Sequence, residues 1–148
     1  MEIYDSLLGA VCDEYDRVTL IKKSERGEVT LIRHRASGNR YIFRHFSGSS
    51  EVYRKLLTVS CPNLPQIMEV GEKEGKTALL EEYVQGDTLG EILQGGLLTA
   101  AQAKQITRQL CMALWVLHSL GVVHRDVKPD NVIIRGTEAV LIDFDASR

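Results

Sequence analysis

Hydrophobic and polar positions alternate along the first half of the chain and recur at helical spacing along the second. From Tyr15 to Lys23, Val18 and Leu20 stand out from charged neighbours, and from Glu28 to Arg35, Val29 and Leu31 alternate against Thr30, Ile32 and Arg33. Such two-residue periodicity predicts two strands joined as a hairpin. Ala36-Ser-Gly-Asn39 has the composition of a turn, and Arg40 to Phe46 returns as a third strand of aromatic and β-branched character. Ser47-Gly-Ser-Ser50 offers capping hydroxyls to a helix from Glu51 to Val59, with Val52, Leu56 and Val59 on one face and Pro62 and Pro65 ending it. Ile67 to Glu72 and Thr77 to Val84 flank the turn Lys73-Glu-Gly-Lys76 as a second hairpin. The expectation is an antiparallel sheet of five strands with one helix.

After Gln85-Gly-Asp87 the pattern changes to helix, which puts a boundary between two lobes there. Thr88-Leu-Gly-Glu91 and Thr99-Ala-Ala-Gln102 both have capping-box form. The helix predicted from about Ala100 to Leu120 begins amphipathic, with Ile106 and Leu110 set against Lys104, Gln105, Arg108 and Gln109. Cys111 to Leu117 is then apolar all the way round, and such a helix is normally buried on every side. It is therefore expected to belong inside a larger lobe. Without those neighbours, the face around Met112, Trp115 and Leu117 is expected to associate with a second copy or stay partly exposed.

Composition narrows the classes of function. With 148 residues, 44% of them hydrophobic, the chain can fill a core of ordinary size. A net charge of −2 implies no general attraction to nucleic acid or to an anionic membrane. Cys12, Cys61 and Cys111 are widely spaced and form no CxxC pair, the usage of a reduced, cytoplasmic protein without structural zinc. The N-terminal segment carries Glu2, Asp5, Asp13 and Glu14 around a short apolar run, unlike a secretory signal, and no apolar stretch is long enough to span a membrane.

The chemistry is concentrated in His124-Arg-Asp-Val-Lys-Pro-Asp-Asn131, followed by the apolar strands Val132-Ile-Ile134 and Val140-Leu-Ile142 and then by Asp143-Phe-Asp145. The hairpin spacing returns Asp143 towards Asn131. Two aspartates, a lysine and an asparagine on one hairpin can hold a hard cation and move a phosphoryl group. These motifs resemble the catalytic and metal-binding loops of the eukaryotic-type Ser/Thr protein kinases. The resemblance implies an α+β, protein-kinase-like fold: a complete small lobe with an N-terminal extension over residues 1–84, a hinge at 85–87, and a partial, mostly helical large lobe over 88–148. It implies ATP and Mg2+ as cofactors and a protein with a Ser or Thr hydroxyl as acceptor. Asp126 would orient or accept the hydroxyl proton, a role contributing about 10²–10⁴-fold. Lys128 would neutralise charge on the transferring group, and Asn131 and Asp143 would hold the metal. The family's domain runs on well beyond Arg148, so this chain by itself is expected to bind Mg-ATP weakly at best.

The same resemblance places the nucleotide contacts in the first half. The family's glycine-rich loop falls on Lys22 to Val29, where only Gly27 of three glycines is present. The strand lysine aligns with Arg44, which keeps the charge and could still pair with Glu51; Lys22 or Lys23 could supply the missing ammonium. The backbone from Glu82 to Val84 would meet adenine. Glu81, just before it, must either reach solvent or pair with a base such as Arg44. Asp145 stands where the family has glycine and could stiffen the loop or add a carboxylate to the metal site. One alternative is a pseudokinase acting as a nucleotide-binding or interaction module; the other is a small-molecule phosphotransferase of the aminoglycoside or choline kinase type, and Lys128 weighs against it.

Overall fold

A computed structural model describes residues 2–148 as two compact units, Gln66–Tyr83 joining the N-terminal residues up to Val59 in one, and Ser60–Pro65 joining Val84–Arg148 in the other.

The first unit contains helix α1 (Ile3–Glu14), strands β1 (Tyr15–Lys23), β2 (Gly27–His34) and β3 (Arg40–Ser47), helix α2 (Glu51–Leu56), and strands β4 (Ile67–Lys73) and β5 (Lys76–Glu82). The five strands form one antiparallel sheet in the order β1-β2-β3-β5-β4, as their alternation predicts. Pairing Thr30 with Phe43 and Phe43 with Leu80 puts these side chains on one face with Ile32 and Ala78. That face is covered by α1, whose Tyr4, Leu7 and Val11 are buried against Ile32, Phe43, Ala78 and Leu80.

Helix α1 was not anticipated, although Tyr4, Leu7, Leu8 and Val11 recur at helical spacing. It crosses β4 so closely that a Cβ on Gly71 would lie 2.4 Å from the Tyr4 nitrogen, so glycine is required there. Lys73 Nζ lies 2.9 Å from Asp5 Oδ2, and the Tyr4 hydroxyl shares a 2.7 Å hydrogen bond with His45 Nε2. Helix α2 is shorter than expected. Its last turn tightens through Leu57 N–H to Arg54 O and Val59 N–H to Leu56 O, and it buries Tyr53 and Leu56 rather than Val52 and Val59. The Tyr53 ring packs 5.9 Å from that of Phe46, and this larger contact sets the helix rotation.

The second unit contains β6 (Asp87–Thr88), helices α3 (Leu89–Gln94) and α4 (Ala100–Ser119), a 3₁₀ turn (Pro129–Asn131), and strands β7 (Val132–Arg135) and β8 (Glu138–Leu141). The predicted caps form. Thr88 accepts from Glu91 N–H, and Thr99 with Gln102 makes a complete capping box. Only one side of α4 is buried among the described residues, through Ala113 and Leu117; Met112 and Trp115 are exposed. Polar side chains tie α4 to the hairpin. Gln109 receives the Ala139 N–H and donates to Thr137 O, while Asn63 donates to Ala139 O at 2.9 Å and accepts from Leu141 N–H at 3.0 Å through its carbonyl. Cys12, Cys61 and Cys111 are free thiols, and no helix among the described residues is long and apolar enough to cross a membrane.

Thr30 is buried on the α1 face, and its hydroxyl has no hydrogen-bond partner among the described residues. Thr30→Val keeps the shape and removes a desolvated hydroxyl, so it is expected to stabilise the chain by about 1 kcal/mol in urea unfolding. The His45 imidazole is held below its ordinary value, first by burial and then by Lys76, with Glu28 acting the other way. Because the native ring resists protonation, the unfolded chain binds the proton first once the pH falls below about 6.5, and stability drops with it. The melting midpoint is expected to fall between about pH 7 and pH 5.5, less steeply in His45→Gln.

Candidate active site

The segment from Val122 to Asn131 has no regular ladder to satisfy its polar groups, and a buried imidazole does that work. His124 is 1% exposed. Its Nδ1 accepts from Asp126 N–H at 3.1 Å, so the ring proton resides on Nε2, which donates to Ile142 O at 2.9 Å. The ring also meets Phe144 edge-on, with centroids 5.6 Å apart. Beyond Phe144, Ser147 Oγ donates to His124 O at 3.0 Å, and Val123 and Arg148 exchange two backbone hydrogen bonds. The residues flanking Asp126 and those flanking Asp143 are thereby fastened to one another.

Asn131 completes the fastening. Its amide Nδ2 donates to both Asp126 O at 2.9 Å and Asp126 Oδ2 at 3.1 Å. Its carbonyl accepts the Ile142 N–H at 2.9 Å. With the amide nitrogen committed to Asp126, the side-chain oxygen of Asn131 is directed away from that carboxylate. Lys128 Nζ stands 3.8 Å from Asp126 Oδ2, both side chains substantially in solvent. Asp143 has φ 65° and Arg125 φ 73°, left-handed conformations that cost roughly 1–2 kcal/mol in a residue with a Cβ. Phe144, 2% exposed beside His124, anchors the chain next to the first of them. Asp143 Oδ1 accepts from Asp145 N–H at 3.2 Å, so the aspartate at the third position of this loop turns its backbone towards the first.

The structure thus brings Asp126, Lys128, Asn131 and the base of Asp143 together within the second unit. Hard oxygens from an amide and a carboxylate suit magnesium. Among the described residues no three carboxylate, imidazole or thiolate side chains converge, so a cation here would take its other ligands from phosphate and water. Ser147, Asn63 and Gln109 were not singled out from the sequence. Lone polar residues carry no pattern, and only the fold shows what they hold.

The expected nucleotide residues Gly27, Arg44, Glu51 and Glu82 lie in the first unit, and Val84 in the second. Ser24 N–H bonds to Gly27 O at 2.8 Å and Gly27 N–H to Ser24 O at 3.2 Å, closing a tight turn over Glu25 and Arg26. Gly27 has a steric reason of its own, since a Cβ there would lie 2.1 Å from His45 O on the neighbouring strand. The Arg26 guanidinium lies over the Phe46 ring at 5.0 Å and donates to Ser47 O. Of the two acids open to Arg44 in the sequence, Glu51 and Glu81, it meets Glu81: Nε donates to Oε2 at 2.9 Å, with both residues buried. Glu51 is exposed and lies 3.7 Å from Lys55, one turn along α2. Burial explains the choice, because a desolvated cation needs a desolvated anion. Glu82 donates its N–H to Gln66 O at 2.8 Å, and Val84 is buried.

Comparison with known proteins identifies the family and the fold. Residues 16–148 match the family model described as protein kinase domain, which leaves α1 outside the match. The Serine/threonine-protein kinase pkn2 of Myxococcus xanthus is 35% identical over 99 residues, covering 64% of this chain and 12% of the relative. Serine/threonine-protein kinase D of Synechocystis sp. is 38% identical over 85 residues, covering 56% and 16%. Among solved structures, Rad53 in complex with AMP-PNP aligns with a TM-score of 0.76 at 22% identity, covering 90% of this chain and 39% of that one. The chain spans well under a third of the length of these curated relatives.

Asn131→Ala removes both donors that hold Asp126. Amide exchange across residues 124–131 is expected to rise at least tenfold, with a stability loss of about 1–2 kcal/mol. Unchanged exchange would show that the loop is held without Asn131.

Proposed function

Because this chain belongs to the protein kinase domain family, we propose that it serves ATP-dependent phosphoryl transfer to Ser or Thr hydroxyls of proteins. The observation that carries the reading is the double hydrogen bond from Asn131 to the main-chain oxygen and carboxylate of Asp126. It fixes one oxygen of Asp126 and leaves the carboxylate accessible to solvent, and so to an acceptor. Asp126 orients the incoming hydroxyl and receives its proton as that oxygen attacks the γ-phosphorus and ADP departs. Lys128, within 4 Å of Asp126, neutralises charge on the transferring group. Asn131 and Asp143 are the residues that would hold magnesium, which when bound screens the charge of the phosphates. The backbone of Glu82 and Val84 recognises adenine, and Arg44, with Lys22 or Lys23, meets the phosphates.

Support for this substrate class comes from the similarity to Ser/Thr kinases of two bacteria. Support for a nucleotide comes from the likeness in fold to Rad53, whose structure holds AMP-PNP. A second reading, nucleotide binding without turnover, is favoured by Arg44 at the position expected for the strand lysine, its Nε committed to the buried Glu81.

Fluorescent-nucleotide titration with and without Mg2+, together with transfer of labelled phosphate to a generic protein acceptor, separates the two. Asp126→Asn is expected to keep nucleotide affinity and lower transfer by about 10²-fold or more, whereas Asp143→Asn should abolish the Mg2+-dependence of binding. Magnesium-dependent binding without any transfer would favour the second reading. No nucleotide binding would end both.

A further inference from the structure

Arg44 and Glu81 are built into the middle of the sheet. In the antiparallel pairing of β3 with β5, Arg44 stands opposite Leu79 and Ile42 opposite Glu81, so the two charged side chains are diagonal neighbours on one face. Both strands are internal, β3 flanked by β2 and β5, and β5 by β3 and β4. Neither can slide without breaking ladders on both sides. The side chains are 10% and 3% exposed, and the contact is made by Nε, the guanidinium nitrogen nearest the backbone. A bond at Nε fixes rotation about the last side-chain torsion and hence the plane of the whole group.

Glu51 offers none of these constraints. It opens a helix of six residues, its side chain is 74% exposed, and the cation beside it is Lys55 of the same helix. Exposed pairs of this kind hold geometry weakly. The acid available to orient Arg44 from α2 is therefore in solvent, while the acid supplied by β5 is buried in direct contact.

We propose that Glu81 is the positioning residue for Arg44, and that the orientation of this cation is set inside the sheet, independently of α2. The inference rests on the reading of Arg44 as a phosphate-facing group. It deepens that reading by stating how the site is regulated. A shift of α2 leaves the Arg44–Glu81 pair intact, so the cation stays in place whether or not the helix is seated. Control of this site then has to act on some element other than α2.

Three measurements on the full chain test the idea. The first is a pair of double-mutant cycles read as melting midpoints. Arg44→Met and Glu81→Leu should each lower the midpoint by about 10 °C or more, and the double variant should recover most of that loss, because a buried ion pair exchanged for apolar groups is often tolerated. Arg44→Met with Glu51→Gln should be additive. The second is the Arg44 Nε–H resonance in a ¹⁵N-labelled sample. Its slow exchange should survive Leu56→Ala, which loosens α2, and should be lost in Glu81→Leu. The third is fluorescent-nucleotide affinity, expected to stay within about twofold of the parent in Leu56→Ala and to shift at least fivefold in Glu81→Leu.

Coupling of Arg44 to Glu51 as large as to Glu81, or loss of the Nε–H protection in Leu56→Ala, would overturn the proposal. If Glu81→Leu is too unstable to study, the double variant and the Leu56→Ala spectrum still decide the matter. A parent protein that binds no nucleotide, yet shows strong coupling between positions 44 and 81, would keep the pair as a positioning device and remove the nucleotide reading.

Discussion

The imidazole of His124 is the contact on which the candidate active site depends. Two segments without regular secondary structure, one carrying Asp126 and the other Asp143, have to be held at fixed spacing, and their buried polar groups have to be satisfied away from water. One ring meets both demands by accepting from Asp126 N–H on one side and donating to Ile142 O on the other. Phe144 stacks edge-on against it, Ser147 bonds to its carbonyl, and Asn131 reaches from the intervening turn to grip Asp126. The left-handed backbone at Arg125 and Asp143 is the conformational cost of this closure. It is sustained because both neighbours, His124 and Phe144, are locked into the core.

In the first unit two charged residues are buried within the sheet, Arg44 on β3 and Glu81 on β5. Together they form a buried ion pair, Arg44 Nε lying 2.9 Å from Glu81 Oε2. The guanidinium is more weakly hydrated and more rigid than an ammonium, which suits it to burial beside a carboxylate. At the hairpin tip, Gly27 belongs as much to the approach of β3 as to any phosphate. Helix α1, outside the family match, covers the opposite face of the same sheet. On the same strand as Arg44, His45 bonds to Tyr4 of α1 and the Phe46 ring meets Tyr53 of α2.

Much of this was legible in the chain before any coordinates. The alternation of Val29, Leu31 and the Arg40–Phe46 run located the strands, and Thr88 and Thr99 located two helix starts, because these signals depend on neighbours a few residues away. The candidate catalytic stretch is legible for a different reason: its residue types are chemically demanding and its spacing is set by one short hairpin. Helix α1 has its apolar spacing in Tyr4, Leu7, Leu8 and Val11 but no capping signal to mark its start. The inward side of α2 is not set by its local pattern, since the ring of Phe46 meets Tyr53.

What the sequence determined by itself was the family, the five strands of the first sheet and the candidate chemistry, carried by local periodicity or by motifs within a single hairpin. What only the tertiary structure decided was which charges meet. Glu81 had two options in the sequence, solvent or a base, and Arg44 had at least two acids within reach along the chain. Strand register brought Arg44 and Glu81 together as diagonal neighbours, and burial made their pairing compulsory, while Glu51 was left at an exposed helix start. The selection of ion-pair partners depends on dielectric environment and on contacts between residues 37 apart in the chain, and neither is written in any local stretch of amino acids.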